Sequence, residues 1–404
     1  MQAGRLADEY EEAAMTNVVI VGTARTAIGT ARKGSLFNTP PERLAATVLR
    51  AAIERSGVGF DQIDDVVMAE SLSGGGAIAR YAAVEAGLLN SGGMAVNRHC
   101  AGSLTAAGVA AGAIISGMER FVVAGGVNSS SMMPHMQQRN PYTGETEDWW
   151  MPPTHPDSPE APNRDMSITV GWNAASTLGL TREEMDAWAL RSHQRAIAAI
   201  DQGHFKEQIV PVMAIDAQGN EFVFEVDEHP RRDSTLEKLA SLKPLHPEIE
   251  GFSITAGNAS GTNDAAVAMV MTREDIAREE GLDVLAKILG WTSIGIDPKD
   301  TGLSVPKVVE KILARTSRRR EDIALWEINE AFAAVPVAAC RVMDIDEDTV
   351  NISGSGCSLG HPIGASGGRM IQTLAYDLKR RGGGLGIATM CAGGGQAGAV
   401  LIEV

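Results

Sequence analysis

The pattern of apolar and polar positions along the chain predicts an α/β architecture. In the first third, short apolar, β-branched runs at 17–21, 65–69 and 121–124 alternate with helical patterns at Pro41–Ser56 and 103–118. This alternation is typical of layered folds in which helices cover a mainly parallel sheet. The stretch 103–118 contains no charged residue, so we expect that helix to be buried on nearly all sides.

The last third of the chain repeats the order of elements of the first third. Its predicted elements are helices at 305–314 and 367–380 and strands at 324–328, 385–389 and 399–403. In each half a helix leads to an acidic turn and then to a strand that runs to a glutamate, Glu70 in the first half and Glu330 in the second. A repeated order of elements indicates an internal duplication. We therefore predict two similar α/β halves.

The stretch between the halves has a different character. It opens with a long irregular segment rich in Met, Pro, Trp, His and Asp, and such long loops in compact proteins tend to be functional or disordered. We interpret it as an inserted lobe. The predicted organisation is a disordered acidic extension at 1–14, an N-terminal half formed by 15–129 and 262–283, a loop domain at 130–261 and a C-terminal half at 284–404.

Composition and charge narrow the class of protein. The 404 residues carry a formal net charge of −16, which argues against a general nucleic-acid binder because phosphate neutralisation needs a basic face. No apolar run approaches the ~20 residues of a membrane span, and the acidic stretch 1–14 lacks the apolar core of a signal peptide. Four cysteines in so long a chain do not make a disulfide framework. We expect a soluble protein of the reducing cytoplasm.

Four separate segments combine reactive side chains with glycine. The first is N-R-H-C-A-G at 97–102, which places Cys100 where a predicted strand leads into a helix. The helix dipole lowers the pKa of a thiol at such a junction, and the free N–H groups there can hold an oxyanion. The alternative is that Cys100 is a small buried apolar side chain, as most cysteines are.

The second and third segments are E-I-N-E-A-F-A at 327–333 and G-H-P-I-G-A-S-G at 360–367. Asn329 can orient a water and Glu330 can fix a neighbouring histidine, unless the two residues form a polar helix cap. His361 stands in a rigid turn whose glycines permit close approach of another group. A base next to a thiol is the minimum for nucleophilic catalysis, although a lone histidine is more often structural.

The fourth segment, C-A-G-G-G-Q at 391–396, sets Cys391 beside bare backbone N–H groups after a predicted buried strand. This arrangement suits proton transfer close to a substrate. A redox pair with Cys100 is the competing interpretation, but the chain has no C-x-x-C motif, which argues against that pair and against zinc. The chain also lacks a P-loop and a G-x-G-x-x-G between strand and helix, which disfavours a nucleotide-dependent enzyme.

Together the four segments resemble the signature of the thiolase family. In thiolases N-R-x-C, N-E-A-F-A, G-H-P-x-G-A-S-G and C-x-G-G-G follow one another in this order, and here the resemblance spans 15–404. It implies the α/β thiolase fold, in which two βαβαβαββ halves form layers in the order α-β-α-β-α and carry an inserted loop domain. It also implies a homodimer or homotetramer.

The resemblance further implies CoA-dependent cleavage of a 3-ketoacyl-CoA to acetyl-CoA and a shortened acyl-CoA, or the reverse condensation, by ping-pong acyl transfer. His361 helps to form the Cys100 thiolate, which attacks the 3-keto carbon. Cys391 protonates the released enolate and later deprotonates CoA. The N–H groups of Cys100 and Gly393 hold the tetrahedral oxyanion. His361 and a water on Asn329 hold the thioester oxygen.

Acyl-CoA and CoA are the partners that the resemblance implies, with CoA as a co-substrate and with no metal or bound cofactor. The segment T-A-G-N-A-S-G at 255–261 resembles the stretch that holds the pantetheine arm, with contacts from Ala256 and Ser260. Arg231 matches an arginine near the adenine nucleotide of CoA. The family places such a reaction in fatty acid and lipid metabolism, including β-oxidation. Acyl chain length and reaction direction stay open.

The chain departs from the thiolase pattern directly after Cys100 and shortly before His361. After Cys100, Gly102 and Ser103 exchange the usual order, with Ser103 still able to cap the helix, and Cys357 adds a thiol before the histidine. These changes keep two alternatives open: a thiolase-like acyl-CoA-binding subunit without catalysis, and a related condensing enzyme of the ketoacyl synthase type. Cys391 argues against the synthase, because that class typically lacks a second catalytic cysteine.

Overall fold

The computed structural model describes residues 17–71, 74–149, 153–216 and 218–404, so the predicted extension at 1–14 lies outside the described residues. Its strands are β1 (Val18–Arg25), β2 (Gly29–Thr30), β3 (Asp65–Glu70), β4 (Met94–Val96), β5 (Val122–Asn128), β6 (Met136–Arg139), β7 (Thr146–Trp149), β8 (Val212–Ile215), β9 (Glu221–Phe224), β10 (Asn263–Arg273), β11 (Ala286–Gly295), β12 (Ile323–Ile328), β13 (Leu385–Ala392) and β14 (Gln396–Glu403).

Helices connect these strands. They are α1 (Pro41–Ser56), α2 (Ile78–Ala86), α3 (Gly102–Ile115), α4 (Asn173–Leu178), α5 (Arg182–Asp201), α6 (Leu236–Ala240), α7 (Glu274–Glu279), α8 (Ser304–Thr316), α9 (Ala334–Met343), α10 (Gly356–Leu359) and α11 (Ser366–Arg381). A π-helical segment, Ser167–Trp172, leads into α4. Within the described ranges, none of the helices combines the length and the apolar character that crossing a membrane requires.

A continuous sheet runs through both halves of the chain in the strand order β12-β13-β14-β11-β1-β10-β5-β3-β4, and β2 pairs with β10. The series β1-β10-β5-β3 and the series β11-β14-β13-β12 have the same topology, two antiparallel pairs followed by a parallel pair. The two series join where β1 and β11 pair antiparallel. The sheet topology therefore agrees with the duplication inferred from the order of elements.

The prediction of a mainly parallel sheet is wrong. Among the described strands of the large sheet, parallel pairing is confined to β3 with β4 and β5 and to β12 with β13. These parallel neighbours are connected through helices, as parallel pairing requires, whereas β13 returns into β14 through a short glycine turn and so becomes antiparallel. The pattern of predicted elements does not show which strands become neighbours. In the structure β10 lies between β1 and β5, and β14 lies between β13 and β11, although all four of these neighbours come earlier in the chain.

The helices α3 and α11 form the central layer of the molecule. Helix α3 packs on β3 and β5 and also reaches β11 and β14, while α11 packs on β12 and β13 and also reaches β5 and β10. The helices α1, α2 and α8 cover the outer faces. Because the two central helices contact strands of both halves, their facing surfaces are the innermost part of the core.

The expected burial of the stretch 103–118 is confirmed only for its first part. Leu104, Ala107 and Ala110 are completely buried between the two halves. The helix ends at Ile115, and the side chains of Ile115 and Met118 are 63% and 76% exposed. Uniform apolarity along a helix does not reveal which part of it is covered, because that depends on which strands it crosses.

A buried ion pair ties β1 to the segment that follows β9. Two guanidinium nitrogens of Arg25 donate to both carboxylate oxygens of Asp227 at 2.8 and 2.9 Å, and its Nε donates to Gln208 at 3.2 Å. Both charged side chains are at most 1% exposed. The backbone N–H of Ile28 also donates to Asp227, at 2.8 Å. These contacts hold the segment that contains Arg231 against the N-terminal half.

We expect the substitution Asp227→Asn to destabilise the fold by about 3–5 kcal/mol, because it leaves the Arg25 guanidinium buried without its counter-charge. The matched control is Asp201→Asn, which removes the carboxylate from the solvent-exposed pair with Arg232. Urea unfolding followed by circular dichroism measures both variants. Equal urea midpoints for Asp227→Asn and Asp201→Asn would contradict the expectation that the buried ion pair contributes more to stability than the exposed one.

Candidate active site

Cys100 lies in a sharp turn between β4 and α3. The one-turn segment His99–Ala101 begins with His99 at a φ of 45°, a left-handed conformation that is uncommon for residues other than glycine. The main chain of His99 is held on both sides: its N–H donates to Asn97 Oδ1 at 2.9 Å, and its carbonyl accepts from Ser71 Oγ at 3.1 Å. The turn therefore presents Cys100 at the start of the central helix.

Burial raises the pKa of the Cys100 thiol to about 11, while the backbone N–H groups of Gly393 and of Cys100 itself lower it. The thiol is accordingly protonated at neutral pH, and an attack by sulfur requires a base. The two N–H groups converge on the sulfur atom, as expected for groups that stabilise negative charge there. The structure thus brings Gly393 to Cys100 from the other end of the chain.

Cys391 lies near the end of β13 and is buried. Burial raises the pKa of its thiol, and the neighbouring Cys100 raises it further. The glycine turn at 393–395 follows and connects β13 to β14. A Cβ atom built on Gly394 would lie 2.6 Å from the Cβ of Thr154, so the segment that contains Thr154 packs directly on this turn. Two thiols and the glycine turn therefore form one contiguous site.

His361 occupies a turn that only glycine neighbours allow. Its backbone N–H donates to Asn263 Oδ1 at 3.0 Å, and Gly360 before it has a φ of 99° with no room for a side chain beside Asn263. The carbonyl of Gly364 approaches Gly126 of β5 so closely that a side chain on Gly126 would overlap it. This close backbone approach fixes the histidine turn against the N-terminal half.

The Ser366 hydroxyl links the His361 ring to the main chain. Its Oγ lies 2.6 Å from His361 Nδ1 and 2.9 Å from the carbonyl of Pro362. When the single hydroxyl proton goes to Pro362, Ser366 accepts from Nδ1–H and the lone pair of the ring lies on Nε2. Burial, and secondarily the charge of Arg369, lowers the pKa of His361 to about 3. At neutral pH the ring is uncharged.

Asn329 faces this ring with its amide. Its Nδ2 lies 3.4 Å from each of the two ring nitrogens of His361, and its backbone N–H donates to the carbonyl of Thr389 at 3.1 Å. Its Oδ1 is buried and has no hydrogen-bond partner among the described residues. An unsatisfied buried acceptor is uncommon in proteins and fits a site for a water or a ligand donor.

The carboxylate of Glu330 makes no hydrogen bond to a histidine among the described residues, so the hypothesis that it fixes a neighbouring histidine is wrong. Its carboxylate instead accepts hydrogen bonds from Trp188 Nε1 at 2.9 Å, Ser192 Oγ at 2.6 Å, Asn351 Nδ2 at 2.8 Å and the N–H of Cys357 at 2.9 Å. Four donors from three segments converge on this one group. Glu330 thus connects helix α5 to the loops around the site, since a buried carboxylate needs such donors.

Two departures from the thiolase pattern have structural roles. Ser103 does not cap α3: its Oγ accepts from the N–H of Gly368 at 2.8 Å and so connects α3 to α11. Cys357 is buried, and its Sγ lies 3.7 Å from the carbonyl of Glu330. Burial raises the pKa of the Cys357 thiol well above its usual range. Both side chains pack within the core beside the site.

The residues expected to hold CoA lie on segments that adjoin the site. The N–H of the half-buried Ser260 donates to the carbonyl of Ala331 at 2.9 Å, directly after Asn329 and Glu330. Ala256 is exposed at the start of the same segment. Arg231 is also exposed and has no ion pair among the described residues. Two residues before it, His229 packs on Gly261, which places Arg231 near the segment 255–261. Their contacts with CoA remain predictions.

Ser366 and Asn263, which hold His361, were not identified from the sequence. Ser366 lies inside the G-H-P-I-G-A-S-G segment, but a serine at the start of a helix is usually a cap. Asn263 begins a buried strand and carries no motif. Only the approach of β10 to the histidine turn shows its role.

The comparisons with known proteins agree with this geometry. The family models described as "Thiolase, N-terminal domain" and "Thiolase, C-terminal domain" match residues 18–275 and 282–404. The acetyl-CoA acetyltransferases of Cupriavidus necator and Escherichia coli are both 38% identical to the chain over 96% of its length and over 100% and 99% of theirs.

A solved structure has the same fold. The crystal structure of the Bacillus anthracis acetyl-CoA acetyltransferase matches with a TM-score of 0.89 and 40% sequence identity, over 96% of this chain and 99% of that chain. Family models for both halves, near full-length relatives and a solved structure therefore agree. The chain belongs to the thiolase family.

Proposed function

We propose that this protein is an acyltransferase of the acetyl-CoA acetyltransferase type, which cleaves a 3-ketoacyl-CoA with CoA or forms it by the reverse condensation. The observation that carries the proposal is the meeting of the Cys100 thiol, the Gly393 N–H and the second thiol of Cys391 in one site. CoA enters this reaction as a co-substrate.

The first half-reaction uses the neutral His361 as a base. As Cys100 Sγ attacks C3 of the substrate, Nε2 of His361 takes the thiol proton, and the N–H groups of Cys100 and Gly393 hold the developing oxyanion. The C2–C3 bond then breaks and leaves an acyl group on Cys100. The acetyl-CoA enolate takes a proton from Cys391 while Asn329, through a water, and His361 support the thioester oxygen.

The second half-reaction returns the acyl group to CoA. The Cys391 thiolate takes the proton of the incoming CoA thiol, whose sulfur attacks the acyl carbon on Cys100. The oxyanion again lies at the N–H groups of Cys100 and Gly393, and its collapse releases the Cys100 thiolate, which recovers a proton from His361. The chain thus ends the cycle in its resting protonation state.

Arg231, Ala256 and Ser260 are proposed to hold the CoA moiety. Arg231 is exposed with an unpaired charge in the described structure, which suits a phosphate, and the segment of Ser260 is bonded to the loop of Asn329. We also propose a cytoplasmic protein that serves fatty acid metabolism, such as β-oxidation. The four cysteines are free thiols, as a reducing compartment would keep them.

Substitutions of the two thiols test the mechanism. With acetoacetyl-CoA and CoA, we expect Cys100→Ala to abolish turnover and Cys391→Ala to lower kcat by about 10²–10⁴-fold, because only the proton transfer is lost in the latter. Mass spectrometry after incubation with acetyl-CoA should find an acetyl group on Cys100 in the Cys391→Ala variant.

Cys340→Ala, which changes a buried thiol remote from these contacts, serves as the control for thiol substitution. A folded wild-type protein that binds CoA but turns over neither acetoacetyl-CoA nor a medium-chain homologue would contradict the enzyme proposal. It would favour a non-catalytic acyl-CoA-binding subunit.

Ser366 is expected to position His361. The change Ser366→Ala removes the acceptor of Nδ1–H, so the ring no longer holds its lone pair on Nε2, and we expect kcat to fall about 10- to 100-fold with little change in KM. Ser366→Thr keeps the hydroxyl and should restore most of the activity. Steady-state kinetics of the three proteins at pH 7 provide the measurement. Equal losses for Ala and Thr would contradict the role of the hydroxyl.

We further propose a homo-oligomer that forms through the β4 edge of the sheet. In the part of the chain that the structure describes, β4 pairs on one side only, with β3. Met94 of β4 and Tyr81 of the neighbouring helix α2 are 42% and 58% exposed. An unpaired strand edge beside exposed apolar side chains favours association with a second copy.

The double variant Tyr81→Glu with Met94→Lys should therefore shift the protein towards a monomer, because it places charges at the proposed interface. Met213→Lys, at a methionine of β8 that is 48% exposed, is the control. Sedimentation equilibrium gives the molar mass of each protein. A wild type that is already monomeric, or a double variant with the mass of the wild type, would contradict the proposal.

A further inference from the structure

The side chain of His99 lies against the glycine that holds the oxyanion. A Cβ atom built on Gly393 would lie 3.6 Å from Cγ and 3.9 Å from Cδ2 of the His99 ring. His99 also directly precedes Cys100, and both residues are half-buried, whereas His361 and Cys391 are buried. The imidazole therefore borders the place where the acyl group forms its bond to Cys100.

The two ring nitrogens of His99 have no hydrogen-bond partner among the described residues, whereas its main chain is bonded to Asn97 and Ser71. The side chain is only half-buried, and its nitrogens are not among the buried polar atoms that lack a partner, so they are open to a group that enters the site. The imidazole can therefore hydrogen-bond a polar group of a ligand, which an apolar side chain at this position could not do.

We propose that His99 is a specificity-determining residue that hydrogen-bonds an oxygen on the transferred acyl group, beyond its reacting carbonyl. The inference rests on the proposed function, because it requires the acyl group to be attached to Cys100. Its ligand class is a 3-ketoacyl-CoA whose acyl chain carries a carboxylate, carbonyl or hydroxyl oxygen.

The position of His99 favours the acyl group over CoA as its ligand. The segment 255–261, with Ala256 and Ser260, is hydrogen-bonded to the loop that follows Asn329, and the next residue, Thr262, forms a bridge with His361. His99 belongs to a different part of the site, next to Gly393 and Ser71. Burial lowers the pKa of His99, so near pH 7 its ring is neutral and offers one N–H donor and one acceptor.

The test compares substrates of equal chain length that differ only at the end of the acyl chain. The probes are 3-oxohexanoyl-CoA, its 6-hydroxy derivative and 3-oxoadipyl-CoA, which ends in a carboxylate. For His99→Leu we expect kcat/KM to fall about 10-fold or more with at least one oxygen-bearing probe and to change less than about 3-fold with 3-oxohexanoyl-CoA. The probe whose kcat/KM falls most identifies the kind of oxygen that His99 binds.

His99→Asn distinguishes loss of the imidazole ring from strain in the backbone, because asparagine tolerates a left-handed φ better than leucine does. It should show the same selective loss if the imidazole binds the acyl oxygen. Equal losses on all three probes in folded variants, or no loss on either oxygen-bearing probe, would overturn the proposal. Turnover of acetoacetyl-CoA by the wild type, absent in Cys100→Ala, keeps this outcome separate from a failure of the proposed function.

Discussion

The arrangement of the site depends on one buried carboxylate. Glu330 is completely buried and accepts four hydrogen bonds, from Trp188 and Ser192 of helix α5, from Asn351 and from the N–H of Cys357. Burying a carboxylate is costly unless donors replace the lost water. These donors belong to segments that are far apart in the chain and meet only in the folded structure.

The same carboxylate fixes the reactive groups around it. Asn329 precedes Glu330, and the carbonyl of Ala331 after it receives the N–H of Ser260. The N–H of Cys357 is bonded to Glu330 four residues before His361, in the loop that leads to the histidine turn. The loop of Asn329, the segment of Ser260 and the loop that leads to His361 are therefore all connected to the buried Glu330 or to its immediate neighbours in the chain.

The duplication of the fold gives the segments of Cys100 and His361 equivalent places, each directly before a central helix. Cys100 precedes α3 in the first half, and His361 precedes the equivalent helix α11 in the second half. Both helices lie in the central layer, and the bond from Gly368 N–H to Ser103 Oγ joins their first turns. Their N-terminal ends, which favour negative charge, thus face one site. Burial raises the pKa values of the Cys100 and Cys391 thiols and lowers that of His361, so all three groups are uncharged near pH 7.

The sequence alone determined many of the elements and the duplication, and it supplied the candidates for the reactive groups. Hydrophobic periodicity is a local property, so Pro41–Ser56 and the strands β1, β3, β5, β12, β13 and β14 follow from it, whereas the long strands β10 and β11 were not predicted. The motifs around Cys100, Asn329, His361 and Cys391 are local too. The tertiary structure decided which groups touch. It paired Arg25 with Asp227, placed β10 and β14 within the sheet as antiparallel strands, and gave Glu330 hydrogen bonds to α5 and two loops instead of one to a histidine. It also showed the contact of Ser366 with the His361 ring and placed the ring of His99 against Gly393. Such contacts join residues distant in the chain or depend on side-chain direction, and no local pattern encodes the packing that creates them.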